Sequence, residues 1–222
     1  MLRIGHRGAA GYVTENTLAS IAKAVELGAD LVELDVLATR DGRLVVFHDR
    51  RLDRLTTGKG LVAETVWADL RRLTVTGGHR IPTLEEAVAA AEGKVGLMLE
   101  LKAQGIADQL SDAMTRIGFA GPLIYASFFH DDLQRLRRLQ PKAHTLALIV
   151  GRPVHPATFA LDAKATHVGI AFETLDHPYV ETLHAAGIKV FAFTVNDPTD
   201  IQRMAQLGVD GIVSDFPDRI SR

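Results

Sequence analysis

The stretch that decides the fold is Leu27-Gly28-Ala29-Asp30-Leu31-Val32-Glu33-Leu34-Asp35-Val36, in which a helix stops, a short loop turns and a buried strand follows. Glycine after a helix favours the left-handed conformation that ends it. The same order of features recurs at residues 207–214, and a looser copy begins at residue 186. Repeated units of this kind predict a parallel sheet with helices outside it.

Short apolar runs alternate with longer amphipathic runs along the chain. The predicted strands are 3–6, 31–36, 44–47, 95–101, 123–127, 145–150, 166–171, 189–195 and 211–214, and the predicted helices are 18–27, 84–91, 106–117, 133–139, 179–186 and 201–207. Roughly eight units in this length favour an α/β fold of the parallel (β/α)8 TIM-barrel type. An open, doubly wound sheet is the alternative, but no glycine-rich fingerprint follows the first strand.

Residues 50–80 break this rhythm with a polar, glycine-containing stretch. We therefore expect a single domain over residues 1–222 with a small insertion after the second strand region, lying over the barrel mouth, where barrel enzymes bind substrate. A plain surface excursion is the alternative. Trp67, the only tryptophan, is expected to pack the insertion onto the barrel rather than to contact substrate.

The net charge, the cysteine content and the length of the apolar runs restrict the partners, metal ligands and location that we expect. A net charge of −2 gives no bulk attraction to nucleic acid, so we expect no nucleic-acid partner. The chain contains no cysteine, so any metal must be bound by oxygen or imidazole ligands. The chain runs directly into a predicted strand, and no apolar run approaches the ~20 residues of a membrane helix. These features predict a soluble, cytoplasmic protein without stable membrane association.

Two strands carry charged side chains on the face opposite to their apolar ones. Because side chains alternate along a strand, Glu33 and Asp35 point one way and the apolar side chains between and around them point the other. In a barrel the apolar face meets the helices, which places both carboxylates inside. Burying two like charges is costly unless a cation lies between them. A half-exposed antiparallel strand with a wet acidic face is the alternative.

The run 97–102 repeats this pattern, with Glu100 and Lys102 on one face. Glu100 can supply a third carboxylate, and Lys102 can meet a phosphate oxygen. An internal ion pair is the alternative, but two such strands in one barrel favour a shared site. Oxygen ligands suit one hard divalent ion, either Mg²⁺ or Ca²⁺.

Two histidines lie where predicted strands end. His6 and Arg7 stand between two glycines, which permit a sharp turn, and the guanidinium offers a fork of donors that fits a phosphate. His48 directly follows the apolar run 44–47. Two histidines that face a cluster of carboxylates suit proton transfer to and from a phosphodiester. Glu15 and Asn16 belong to a helix-capping run and can also brace Arg7.

Together these motifs resemble the glycerophosphodiester phosphodiesterase family over nearly the whole chain. The matching segments are 5–8, 15–17, 33–36, 47–49, 81–86, 100–102 and 208–215. The resemblance implies a (β/α)8 barrel with a small insertion after the second strand region. It also implies an enzyme that hydrolyses glycerophosphodiesters, with the help of a divalent metal ion, to sn-glycerol 3-phosphate and an alcohol.

The resemblance further implies a role for individual residues. They are His6 and His48 as the catalytic pair, Glu33, Asp35 and Glu100 as metal ligands, and Arg7 and Lys102 as phosphate contacts. Phe193 replaces the tryptophan that the family usually has at this position, so an aromatic wall is kept without the indole donor. We expect Phe193 to face the glycerol part of a small-molecule substrate, with Ala192 and Thr194 facing the other way.

The expected chemistry uses one histidine to take a proton from the nucleophile and the other to protonate the leaving alkoxide. The nucleophile is water or the glycerol 2-hydroxyl of the substrate.

A lysophospholipase D or another lipid phosphodiesterase is the nearer alternative function, although no long apolar loop or basic patch for a membrane surface is present. A non-catalytic phosphodiester-binding barrel is the distant alternative, and no histidine or carboxylate is lost to favour it. The sequence predicts no particular oligomeric state.

Overall fold

The computed structural model describes residues 1–221, and within them eight parallel strands close into a barrel. The strands are β1 Leu2–Gly5, β2 Leu31–Ala38, β4 Gly96–Leu101, β5 Leu123–Ser127, β6 His144–Ile149, β7 His167–Ala171, β8 Lys189–Phe193 and β9 Gly211–Ser214. Each pairs with its neighbours in parallel, and β1 pairs with both β2 and β9, which closes the ring. The predicted (β/α)8 barrel is confirmed, and the C-terminal end of the predicted single domain, Arg222, lies outside the described residues.

The third predicted strand differs from the expected pattern. Strand β3, Leu44–Val46, runs antiparallel to β2 and extends the sheet as a hairpin instead of entering the barrel. Gly42 turns this hairpin with a φ of 79°. Val45 and Phe47 pack against apolar side chains of the segment that follows, so the insertion is anchored on the hairpin.

Helices connect the strands on the outside of the barrel. They are α1 Leu18–Glu26, α2 Trp67–Leu70, α3 Leu84–Ala91, α4 Ala107–Ile117, α5 His130–Leu139, α6 Thr158–Asp162, α7 His177–Ala185 and α8 Pro198–Leu207. Helices α5, α7 and α8 begin two or three residues before the predicted starts, because their first turns are polar and lack apolar periodicity. The short helix α6 was not predicted, since Gly151 and Pro153 leave little periodic sequence ahead of it.

Apolar side chains fill two layers around the strands. Inside the barrel lie Ile4, Leu31, Met98, Leu146, Phe191 and Val213, with neighbours of similar kind. Outside it, Val32, Leu34 and Val36 pack against helices α1, α3 and α4. The two faces of β2 therefore alternate as predicted, which leaves the inward positions 33 and 35 for the carboxylates.

The segment after β3 contains α2 and two short 3₁₀ turns and has its own apolar cluster. Leu52, Val62, Leu70 and Val75 are buried there against the hairpin. Trp67 packs on this cluster and lines a groove beside the first turns of α1 and α3, as the packing interpretation predicted.

Over residues 1–221, none of the helices combines the length and the apolar character that crossing a membrane requires.

Candidate active site

Three carboxylates meet at the carboxyl ends of β2 and β4. Glu33 and Asp35 are buried, Glu100 is half-buried, and one oxygen of each lies within 4.8 Å of the others. The parallel register aligns Asp35 with Glu100 across the two strands, which brings the side chains together. Oxygen Oε1 of Glu33 is buried without a hydrogen-bond partner. A cluster with an unpartnered carboxylate oxygen and only hard oxygen donors fits a divalent cation such as Mg²⁺ or Ca²⁺.

Arg7 reaches this cluster from the sharp turn that follows β1. Its φ of 50° lies in the left-handed region, which is uncommon for a residue with a side chain. The turn aims the Arg7 backbone N–H at Glu33 Oε2, at 2.8 Å. Gly8, with a φ of 91°, is required next to it, because a Cβ there would collide with Ser20.

Two residues of the capping run brace Arg7 and its neighbour carboxylate. Arg7 Nη1 donates to Glu15 Oε1 at 2.8 Å, and Arg7 Nε lies 3.3 Å from Asp35 Oδ2. Asn16, which has a φ of 57°, donates from Nδ2 to Asp35 Oδ2 at 2.7 Å. Both residues therefore brace Arg7 as predicted: Glu15 holds the guanidinium, and the backbone N–H of Asn16 donates to the Arg7 carbonyl oxygen at 2.9 Å while its side chain holds Asp35.

Lys102 supplies the second cation. Its Nζ donates to Glu100 Oε1 at 2.8 Å and lies 3.6 Å from Asp35 Oδ1. Lys102 and Arg7 thus flank Asp35 from two sides, and both side chains remain about one-sixth exposed. An anionic ligand can therefore reach both cations without unfolding the site.

His6 stands at the rim of the barrel and is held by a residue 209 positions away. Its Nδ1 lies 2.7 Å from Asp215 Oδ1. Asn196 Nδ2 donates to the other oxygen, Asp215 Oδ2, at 2.6 Å, and Ser214 Oγ donates to Asn196 Oδ1 at 3.0 Å. Neither Asp215 nor Asn196 was predicted as a site residue.

His48 is held in the same way on the other side. Its Nδ1 lies 2.7 Å from Asp49 Oδ1, and Asp49 in turn accepts from Arg54 Nε at 2.5 Å. An ionised carboxylate only accepts hydrogen bonds, so both histidines present their Nε2 atoms away from their holders. His6 lines a pocket with Glu33 and Glu100, and His48 lines a separate one with Lys102, so each histidine lies beside the charged cluster and is oriented by a carboxylate.

The wall opposite the carboxylates is apolar. A pocket that includes His6, Glu33 and Glu100 is closed by Met98, Ala126, Leu146, Leu148, Phe193 and Val213. Phe193 faces this pocket as expected, and its ring meets Phe128 edge-on at a centroid distance of 6.1 Å. Ala192 packs outward, but Thr194 lines the pocket, contrary to expectation, because the strand ends at Phe193 and alternation ends with it.

Burial and mutual repulsion shape the protonation of this cluster. Burial raises the pKa of Glu33 well above its usual range, and Asp35 and Glu100 raise it further. Burial and Asp35 raise the pKa of Glu100 to about 7, although Lys102 opposes the shift. Burial lowers the pKa of His48, which favours the neutral ring at neutral pH. Protons held on buried carboxylates are those that a bound cation would displace.

A site that pairs a carboxylate cluster that fits a cation with two cationic side chains and two oriented histidines has the chemistry of a phosphate ester hydrolase. Residues 6–219 match the glycerophosphoryl diester phosphodiesterase family. The glycerophosphodiester phosphodiesterase of Caldanaerobacter subterraneus subsp. tengcongensis is 34% identical over 232 residues, which cover 99% of this chain and 96% of that protein.

Solved structures of phosphodiesterases are also similar to this chain. A phosphodiesterase of Oleispira antarctica, in complex with the product sn-glycerol-3-phosphate, has a TM-score of 0.91 at 32% identity and covers 98% of this chain and 94% of its own. The glycerophosphodiester phosphodiesterase of Agrobacterium tumefaciens str. C58 has a TM-score of 0.87 at 28% identity and covers 99% of both chains. The chain belongs to the glycerophosphoryl diester phosphodiesterase family, which confirms the predicted family and the predicted class of enzyme, a phosphoric diester hydrolase.

Proposed function

We propose that the barrel mouth hydrolyses glycerophosphodiesters and releases sn-glycerol 3-phosphate and an alcohol. The observation that carries this proposal is the convergence of the three carboxylates within 4.8 Å of one another, beside two histidines that each have a carboxylate partner. The Oleispira relative holds that product, which supports the same product here.

The proposed cofactor is one divalent ion, Mg²⁺ or Ca²⁺, held by Glu33, Asp35 and Glu100. Such an ion neutralises charge on the phosphodiester and orients it when bound. Two observations support the assignment: the unpartnered Oε1 of Glu33 and the raised pKa of Glu33 and of Glu100 without a cation.

The proposed substrate contacts divide between the two walls of the mouth. Arg7 and Lys102 bind the nonbridging phosphate oxygens, since both are cations that retain exposed surface beside the carboxylates. Phe193 packs against the carbon skeleton of the glycerol, which the apolar wall of the pocket favours.

His6 and His48 carry the proposed proton transfers. One Nε2 takes the proton of the nucleophile as the new P–O bond forms, and the other ring gives its proton to the alkoxide as the old P–O bond breaks. The nucleophile is water, or the glycerol 2-hydroxyl followed by opening of a cyclic phosphate by water. Trapping or excluding the cyclic product by phosphorus NMR separates these two routes.

The experiment that tests the function is a substrate panel of glycerophosphocholine, glycerophosphoethanolamine, glycerophosphoinositol and a lysolipid, each with EDTA, Mg²⁺ or Ca²⁺. Metal-dependent release of sn-glycerol 3-phosphate from a water-soluble diester supports the proposal. Turnover of the lysolipid alone contradicts it and supports a lipid phosphodiesterase, for which Phe128, 42% exposed beside Phe193, would offer an apolar contact. Binding of every diester without turnover supports a non-catalytic barrel.

We further propose that residues 1–222 act as one domain in the cytoplasm on this small-molecule substrate, without a nucleic-acid partner or stable membrane association. The net charge of −2 supports the absence of bulk attraction to nucleic acid.

A further inference from the structure

Arg54, in the segment that follows β3, connects the two halves of the site. Its guanidinium donates from Nε to Asp49 Oδ2 at 2.5 Å and from Nη2 to Asp49 Oδ1 at 3.0 Å. It also donates from Nη2 to Glu15 Oε1 at 2.7 Å and from Nη1 to Glu15 Oε2 at 3.2 Å. All three nitrogens of one planar group are therefore used, and both carboxylates are held in a fork.

Each of these carboxylates holds a residue of the proposed site. Asp49 binds His48 Nδ1 at 2.7 Å, and Glu15 binds Arg7 Nη1 at 2.8 Å. A continuous chain of charge-assisted hydrogen bonds thus runs from the imidazole of His48 through Arg54 to the guanidinium of Arg7. The Arg54 side chain is 48% exposed, so its charge is screened by water, but a bidentate fork orients its partners even where the pair adds little stability.

We propose that Arg54 is a positioning residue that fixes the tautomer of His48 through Asp49 and the direction of Arg7 through Glu15. The inference rests on the proposed role of His48 in proton transfer. An Asp49 carboxylate held as an anion can only accept, so Nδ1 of His48 must carry the proton and Nε2 keeps a lone pair that can accept one.

Neighbouring charge supports this arrangement. The hydrogen bond from Arg54 is the largest contribution that lowers the pKa of Asp49, which falls to about 2, so Asp49 stays ionised across the working range of pH. Without Arg54, Asp49 would keep its charge at neutral pH but lose the two contacts that fix its plane. His48 could then rotate or adopt the other tautomer.

The kinetic test compares three variants. Arg54→Gln removes the charge and the fork, and Arg54→Lys keeps the charge as a single point. Arg51→Gln is the matched control, because Arg51 is an exposed arginine of the same segment that pairs with Asp53 at 3.3 Å. We expect kcat to fall about 10- to 100-fold in Arg54→Gln, as for other residues that orient a functional histidine. We expect a smaller fall in Arg54→Lys, a smaller change in KM than in kcat, and a control within about twofold.

The spectroscopic test does not depend on turnover. The nine histidines are labelled with ¹⁵N, the His48 signals are assigned by their loss in His48→Ala, and two-bond ¹H–¹⁵N spectra are recorded with Mg²⁺ at pH 8. We expect the Nδ1–H tautomer in the wild type and in Arg51→Gln, and a mixture in Arg54→Gln.

Two results would overturn the inference: an Nε2–H tautomer of His48 in the wild type, or full kcat and an unchanged tautomer in Arg54→Gln. If Arg54→Lys has the full kcat of the wild type, a single positive charge is sufficient. That result would overturn the inference that the bidentate fork of Arg54 positions His48 and Arg7. If His48→Ala retains turnover, the proposed catalytic role fails instead, and the tautomer data still decide the role of Arg54.

Discussion

Replacing Glu100 by glutamine is expected to stabilise the metal-free protein at alkaline pH. Burial and Asp35 raise the pKa of Glu100 from 4.5 to about 7. A pKa difference of one between the folded and unfolded protein corresponds to about 1.4 kcal/mol, so holding this carboxylate ionised costs the fold roughly 3 kcal/mol. Glutamine keeps the shape and can still accept from Lys102, which retains Asp35 at 3.6 Å. Because Lys102 loses its nearer anion, we expect a net gain of roughly 1–3 kcal/mol in the free energy of unfolding.

The pH dependence follows from the raised pKa. Between pH 4.5 and about 7 the folded protein keeps a proton on Glu100 that the unfolded chain has released. Stability of the wild type therefore falls as pH rises through this window, and the full cost is present above it. The advantage of Glu100→Gln should be near zero at pH 4.5 and largest at pH 8.

Urea unfolding in EDTA at the two pH values measures this difference. Glu85→Gln is the control, because Glu85 is exposed and pairs with Arg43 at 3.4 Å, so we expect a change below about 0.5 kcal/mol. Adding Mg²⁺ at about 100 times its Kd should stabilise the wild type by about 2.7 kcal/mol and the variant by less. A Glu100→Gln protein that is no more stable than the wild type at pH 8 without metal would refute this account of the cluster, as would an equal advantage at both pH values.

Three further outcomes are expected at the site. Excess EDTA should abolish turnover, and Glu33→Ala should sharply weaken metal binding in calorimetry; full activity after dialysis against EDTA would remove the carboxylates from the mechanism. His6→Ala and His48→Ala should each lower kcat by about 10²–10⁴ with little change in metal affinity, and near-normal turnover of either variant would exclude that histidine as a proton carrier. Phe193→Ala should raise KM more than it lowers kcat, with a loss of roughly 1–3 kcal/mol in kcat/KM on glycerophosphocholine; an unchanged kcat/KM would mean that the ring does not contact substrate.

Alternation explains why the centre of the site could be predicted from the sequence. A strand has a period of two, so the apolar side chains of β2 determine that Glu33 and Asp35 point inward. Parallel strands of a barrel also end at one rim, which places Glu100 and His6 near them although they lie far apart in the chain. The inward direction of these side chains follows from alternation alone, whereas the pairing of Asp35 with Glu100 depends on the register between β2 and β4.

Residues that hold the histidines were missed for two different reasons. Asp215 directly follows the predicted strand 211–214, and Asn196 directly follows the predicted strand 189–195, so the rule that selected His6, a polar residue where a predicted strand ends, would have selected them too. Arg54 gives no such signal, because its position depends on a non-repetitive loop.

The antiparallel course of β3 was missed although Asp41-Gly42, between two apolar runs, is a hairpin signal.

The division of charge around the barrel links stability to function. Carboxylates and cations come from β1, β2 and β4, whereas β5, β6 and β8 contribute Ala126, Leu146 and Phe193 to the facing wall. Apolar residues in place of the carboxylates would remove the burial cost and the repulsion that together raise the pKa of Glu33, and replacing buried charges by well-packed apolar groups is often neutral or stabilising. A cluster that costs stability and leaves Oε1 of Glu33 without a partner is therefore consistent with the proposed binding of a cation. In the proposed function, the phosphodiester and its cation would meet the charged half, and the carbon skeleton would meet the apolar half.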